Sequence, residues 1–386
     1  MKKKIAILLA LVMALGVLAG CGGGGSNNTT PPGNTSEAPG TSNAPGTSNT
    51  PGTSNTPGTS TQPSDDQPFA STPEVTLILA GHDPDHSLPG KYAFAWADAV
   101  YEASRGRIKV EVNNGGTIAG ATEVLDAAKN GVADLAFGLP SFFPGRFPMT
   151  DMLIMPFIPF ETSVQASEAF LNIWLNTDFL QSDPGYEGVR VIMLRANCDT
   201  PIITANKKLS TVDDMRGMTM RATIAPLVHW LAEFGATGQG CPIGELFQNL
   251  QNGAFDGALT DWHAISSYRL YDNCAKYFAD EKVQWNMYFF VMNEGSYNRL
   301  SAENKAVIDS LSGFAAFDIM KDAWDELTTE TKAEVLKMSG NEIYNLPAAE
   351  ATRLREAAER TNTAYIESMG DRGSQLWDAF SAYFPK

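Results

Sequence analysis

Four consecutive copies of a six-residue unit, A/T-P-G-T-S-N/T, run from Ala38 to Thr61 and set the first limit on the fold. The unit carries almost no apolar side chain to offset the entropy of ordering a backbone, so it builds no core and stacks into no solenoid. With the flanking Gly/Ser/Thr/Pro-rich residues it predicts a disordered tether over residues 21–72. A coil of this kind and length has a root-mean-square span of about 35–40 Å. Anything that folds must lie in residues 73–386, a stretch long enough for two lobes.

The chain opens with Lys2, Lys3 and Lys4, then an apolar run over residues 5–17 that is too short to span a bilayer. Leu18-Ala19-Gly20-Cys21 follows, and it resembles the lipobox of bacterial lipoproteins. The resemblance implies a signal peptide over residues 1–20, cleavage before Cys21, and lipid on Cys21 that holds the protein on the outer side of a bacterial membrane. No later apolar run is long enough to cross the bilayer. The 44 acidic residues against 28 Lys and Arg exclude a nucleic-acid-wrapping surface, because phosphate contacts need clustered positive charge. Three cysteines remain after Cys21, namely Cys198, Cys241 and Cys274. An odd number cannot pair fully, so one disulfide or three buried thiols are both open.

Within the body the periodicity reads as an α/β fold. Strands are expected at 75–80, 107–112 and 132–137, with helices at 90–104 and 121–130 between them. On the first helix Tyr92, Phe94, Ala95, Ala99 and Val100 fall mostly on one face. Alternating β and α segments point to a sheet with crossover helices. Further strands are expected at 189–194, 202–205, 218–222, 257–259 and 285–292, the last able to return to the first sheet. Helices are expected at 225–234, 244–252, 263–271, 302–309, 315–338 and 348–369.

The most specific pattern is T-V-D-D-M-R-G-M-T-M-R over residues 211–221, followed by G-E-L-F-Q-N-L-Q-N-G over 244–253 and Asp256-Gly257. Weaker companions are G-R-I-K-V-E-V over 106–112, G-V-A-D-L over 131–135 and the D-M-L-I-M-P-F segment over 151–157. In this order they resemble the extracytoplasmic solute-binding proteins of TRAP transporters, the DctP-type family. The resemblance implies a two-lobed, periplasmic-binding-protein-like α/β fold with hinge-connected sheets and a helix-rich last third. It implies lobe I in residues 73–197 plus about 286–330, and lobe II in 198–285 plus about 331–386. The implied function is a receptor, not an enzyme, that delivers a small organic acid to the membrane subunits of a TRAP-type transporter.

Arg221 matches the family's ligand arginine, and its own position agrees. It ends an apolar strand, and open α/β sheets bind ligands beyond the carboxyl ends of their strands. A guanidinium there can take a carboxylate through two parallel N–H bonds. Other pocket positions carry over as Thr223, Ile243, Thr260, Asp261 and Trp262, with Phe137, Gly138, His82, Asn197 and Arg195 as further candidates. A second arginine typical of sialic-acid binders aligns near Thr200, which points away from such ligands. No cofactor and no metal is called for.

Rival readings stay open at this stage. His82-Asp83-Pro84-Asp85-His86 concentrates two of the chain's 4 histidines and could hold a metal or metal chelate, contact a ligand through His82, or be a solvated loop. An importer of the ABC type could use the same kind of receptor. Residues 238–244 (G-Q-G-C-P-I-G) miss the dinucleotide spacing and read as a turn. Cys198 and His229 form no recognisable hydrolase motif.

Overall fold

The computed structural model describes residues 72–385, so the signal peptide, Cys21 and the repeat tether lie outside the described residues. Among the described residues there are eleven strands: β1 (Val75–Gly81), β2 (Ile108–Asn113), β3 (Leu135–Gly138), β4 (Val189–Asp199), β5 (Ile202–Thr204), β6 (Thr219–Arg221), β7 (Thr237–Gln239), β8 (Gly257–Leu259), β9 (Tyr277–Ala279), β10 (Trp285–Asn293) and β11 (Glu342–Tyr344). They form two sheets, in the orders β2-β1-β3-β10-β4 and β11-β9-β5-β8-β6-β7.

In the first sheet β2, β1 and β3 are parallel, while β10 runs antiparallel between β3 and β4. Alternation along β1 divides the packing between the two faces. Leu77 and Leu79 join Tyr92 and Trp96 of the helix Leu88–Ala103, whereas Ala80 joins Val124 and Leu125 of the helix Val124–Lys129. Helices on both faces make this a doubly wound sheet. In the second sheet β6 lies parallel to β7 and β8, and β5 runs antiparallel to β8 and β9.

The chain passes between the sheets three times; the last passage runs from β10 through residues 294–341 to β11, and the first two lie side by side. One joins β4 to β5 through Thr200 and Pro201; the other joins β9 to β10 through residues 280–284. The two are bonded to each other, Thr200 N–H to the Gln284 carbonyl at 3.0 Å and Val283 N–H to the Thr200 carbonyl at 2.8 Å. A further link is the helix Ala348–Ser368. Trp230 of the second lobe donates to its Leu354 carbonyl at 3.0 Å, and its Asn362 donates to the Pro156 carbonyl on the first-lobe side at 2.9 Å. The fold is therefore the two-lobed α/β architecture with a helix-rich C-terminal third.

Several sequence expectations change in detail. On the helix Leu88–Ala103 the buried stripe is Tyr92, Ala93, Trp96, Ala97 and Val100, and Phe94 is 41% exposed; Trp96 shifts the apolar face by donating to the Leu311 carbonyl. The long helix expected at 315–338 is two, Phe314–Asp318 and Ala323–Lys337, separated by a turn over residues 319–322. The G-Q-G turn contains β7, an edge strand on β6. The helices Ser163–Asn176 and Gly370–Ser381 have no counterpart in the expected elements. Cys198, Cys241 and Cys274 are all free thiols.

Gly257 explains why the D-G pair must end in glycine. A Cβ there would sit 2.5 Å from the Ile203 carbonyl of β5, a backbone atom that cannot swing away. Gly257→Ala is expected to lower stability by about 1–3 kcal/mol through overpacking, read as a shift in the urea midpoint.

A second expectation concerns the buried corner around Asp151. Burial and the neighbouring Asp183 push the Asp151 carboxyl up to about 8, and burial pushes Asp183 up to about 6 despite bonds from Met149, Thr150 and the Thr150 hydroxyl. A raised folded-state pKa means the native chain holds protons that the unfolded chain, titrating near 4, has released. This contribution therefore falls as pH rises from about 4 to about 8. Asp151→Asn should flatten that decline in urea titrations across this range and leave the variant the more stable form at the alkaline end.

The interlobe cleft

Four parallel strands aim their carboxyl ends at one place. Gly81 of β1 leads into His82 and Asp83, Gly138 of β3 into Leu139, Arg221 ends β6, and Leu259 of β8 leads into Thr260 and Asp261. β1 and β3 belong to the first sheet, β6 and β8 to the second, so the strand ends meet across the gap between the sheets. The cavity between them is about 20 Å³, far below the volume of a small-molecule site, so the lobes have to part before a solute fits between them.

Arg221 is buried in this cavity, and its Nε donates to the Cys241 carbonyl at 3.1 Å. Among the described residues no carboxylate comes within ion-pair distance of its guanidinium. Burial pulls its pKa down, while Asp261 and Tyr268 act in the opposite sense from further away. A guanidinium taken out of water without an anionic partner is a preformed receptor for one.

The other lining groups are polar as well. Asp83 accepts from the Tyr288 hydroxyl at 3.1 Å and lies 3.3 Å from His82 Nε2. His263 stands between two carboxylates, with Nδ1 3.7 Å from Asp261 and Nε2 3.9 Å from Asp83. Its Nδ1 is also 3.4 Å from the Tyr288 hydroxyl. Asp83 and Tyr288 come from the first lobe and His263 from the second, so these contacts cross the cleft. Asp261 caps the helix Trp262–Ser267 by accepting from Ala264 N–H at 3.0 Å. Two buried ring nitrogens, His82 Nδ1 and His263 Nε2, have no hydrogen-bond partner.

The cavity thus gathers His82, Asn197, Arg221, Ile243, Thr260 and Asp261 from the residues singled out in the sequence. It does not gather the rest. Phe137 lies behind the wall, stacked on Tyr288 at 4.9 Å and on Tyr92 at 5.6 Å. Gly138 faces the core, where a Cβ would meet Val124 and Phe289. Trp262 is fully buried against Phe278. Arg195 points to the helical side of β4, its guanidinium carbon 3.1 Å from the Trp324 ring centroid. Thr223 lines a neighbouring groove with Phe142, Cys241 and Pro242. The aromatic wall is made by Phe142, Tyr268 and Tyr288 instead.

Sequence reasoning missed Asp83, His263, Tyr268, Asn286 and Tyr288 as cavity residues. A usable signal existed for His263, a rare histidine four residues after the strand that begins at Asp-Gly, but none for Tyr288 within its apolar strand. The His82–His86 loop divides: His82 and Asp83 are buried at the cavity, while Asp85 and His86 are exposed. Among the described residues no group of three or more His, Cys, Asp and Glu is placed to hold a metal ion. None of the described helices is long and apolar enough to cross a membrane.

Residues 79–368 match the family described as "Bacterial extracellular solute-binding protein, family 7" (DctP). The chain is similar to the ectoine-binding periplasmic protein TeaA of Halomonas elongata, 22% identical over 305 residues that make up 75% of this chain and 84% of that one. Among solved structures it is similar to a marine metagenome TRAP solute-binding protein specific for aromatic acids, in complex with 3-hydroxybenzoate. There the TM-score is 0.74 at 24% identity, covering 82% of this chain and 100% of the other. A TRAP solute-binding protein from Rhodoferax ferrireducens with copurified benzoate gives a TM-score of 0.72 at 23% identity, over 80% of this chain and 97% of the other.

Proposed function

We propose, for a chain that belongs to the bacterial extracellular solute-binding protein family 7, a lipid-anchored receptor that binds a small organic acid and hands it to a TRAP-type membrane transporter. The observation that carries the reading is Arg221, a buried guanidinium on the cleft with no carboxylate of the protein to pair with. Similar proteins supply context: they bind 3-hydroxybenzoate, benzoate and, in a Bordetella bronchiseptica structure, mandelate, all small carboxylates.

The two lobes are taken as residues 73–197 with about 286–330, and 198–285 with about 331–386. They hinge where Thr200 and Val283 exchange bonds with each other's strand. An open form admits the acid, and its carboxylate meets Arg221 in a bidentate pair. Closure then brings Asp83 and Tyr288 against His263 and removes the ligand from water. The closed form is favoured only by contacts that the open form lacks, and these cross-cleft pairs are such contacts. The membrane subunits would recognise the closed arrangement of lobe surfaces. Lipid on Cys21 and the repeat tether would keep the receptor beside its transporter while leaving it free to reorient.

Arg221→Ala should weaken binding of the cognate acid by about 2–5 kcal/mol, since a desolvated carboxylate would lose its partner. Calorimetry with the best acid from a thermal-shift screen of carboxylates measures this, and an unchanged affinity removes Arg221 from the site. Cys21→Ser should move the protein from the membrane fraction to the soluble fraction of the expressing bacterium; retention in the membrane removes the lipid anchor.

A further inference from the structure

The cavity that holds Arg221 also holds two carboxylates, and this bears on the ligand's other end. Asp83 is 3% exposed and Asp261 6% exposed, and both line the same cavity as the guanidinium. One guanidinium already shares the cavity with two carboxyl groups, and burial pushes the Asp261 carboxyl up. A plain carboxylate entering this space would set a third carboxyl group beside one cation, out of reach of water. Like charges at these separations in a low-dielectric space oppose one another strongly.

A ligand that brings its own positive charge adds no net negative charge to the cavity. Its place is marked by unused hydrogen-bonding capacity. His263 is 1% exposed, its Nε2 lies 3.9 Å from Asp83, too far for a hydrogen bond, and that nitrogen has no partner. His82 Nδ1 on the opposite lobe is also buried and unpartnered. Buried ring nitrogens without partners are uncommon, and each leaves a desolvation cost that a ligand can offset. Asp83 itself is held by the Tyr288 hydroxyl, which fixes its carboxylate at the cavity wall.

Resting on the carboxylate reading of Arg221, we propose that the ligand is a zwitterion: a small carboxylate bearing an N–H cation, an ammonium or amidinium, that meets the Asp83–His263–Asp261 end of the cavity. The carboxylate chooses Arg221 because no other cation lines the cavity among the described residues. The cationic group chooses the other end because two carboxylates and an acceptor-capable imidazole converge there. A dianion is disfavoured for the same reason.

The test compares matched acids that differ only at one substituent. A library of such sets, each skeleton present as ammonium, hydroxyl and hydrogen (phenylglycine, mandelate and phenylacetate; alanine, lactate and propionate), is titrated calorimetrically into the purified protein. For the skeletons that bind, the ammonium member should bind at least tenfold more tightly than its unsubstituted partner. Titrations in buffers of different ionisation enthalpy should show no net proton uptake. Asp83→Asn should collapse the ratio between the members of a set toward one, with circular dichroism checking that the fold is intact. Equal or tighter binding of the plain acid, or its binding with about one proton taken up, overturns the zwitterion assignment and leaves the carboxylate reading standing. Failure of every member to bind, or binding indifferent to Arg221→Ala, overturns the carboxylate reading and this inference with it.

Discussion

Arg221 is taken out of water with one of its five N–H groups given to the Cys241 carbonyl and no carboxylate of its own lobe or the other in contact. Leaving a cation in that state costs several kcal/mol, and the surrounding structure must hold it there. β6 does so by ending at this residue while pinned between β7 and β8, with Gly257 making the approach of the next strand possible. The same constraint gives the cleft its chemistry. An anion that enters relieves a cost already incurred in folding, so its binding draws on energy stored in the protein rather than on contact area alone.

The hinge follows from the way the chain is shared between sheets. Because β10 returns to the first sheet after β9 has left the second, the first two crossings run side by side and bond to each other. A pair of bonded crossings bends more readily than it shears. The helix Ala348–Ser368 braces the lobes from one side, through Trp230 on one lobe and Pro156 on the other. The lobes approach each other at the strand ends, where His263 lies near Asp83 and Tyr288.

Much of this was legible before the structure, and the pattern of what was not has physical causes. Strands β1 and β10 are largely apolar and β8 starts at the Asp256-Gly257 pair, so their places follow from the sequence almost to the residue. The helix Ser163–Asn176 escaped because Asn172 and Asn176 and two serines dilute its apolar face; its cap, Thr162 accepting from Gln165, is visible only in the structure. At the site, Arg221, Thr260 and Asp261 were readable because a strand end fixes them in space. Trp262 was misplaced because one residue decides the matter: Asp261 starts a helix, and the first helical residue turns its ring into the core. Tyr288 was invisible since period-2 alternation in a strand buried on both faces carries no polar marker.

Arg195 and Arg221 are both buried arginines at the same sheet boundary, and their difference shows how a functional cation is told from a structural one. Arg195 is closed in on every side. Its Nε donates to the Ala196 carbonyl, its Nη1 reaches the Met320 carbonyl, and its plane lies on Trp324 with Phe317 at 5.5 Å. Carbonyl dipoles and ring faces stabilise the charge without an anion, and nothing that enters the cleft can touch it. Arg221 has one carbonyl and a cavity in front of it. Residue type and burial are the same for both, although Arg195 lies within β4 and Arg221 ends β6. The property that separates them is the surroundings: Arg195 is enclosed by carbonyls and ring faces with its Nη2 left unpartnered, whereas Arg221 faces a cavity. By that criterion Arg195 holds the helix pair Phe314–Asp318 and Ala323–Lys337 onto β4, and Arg221 is the arginine whose surroundings leave room for a partner from outside the protein.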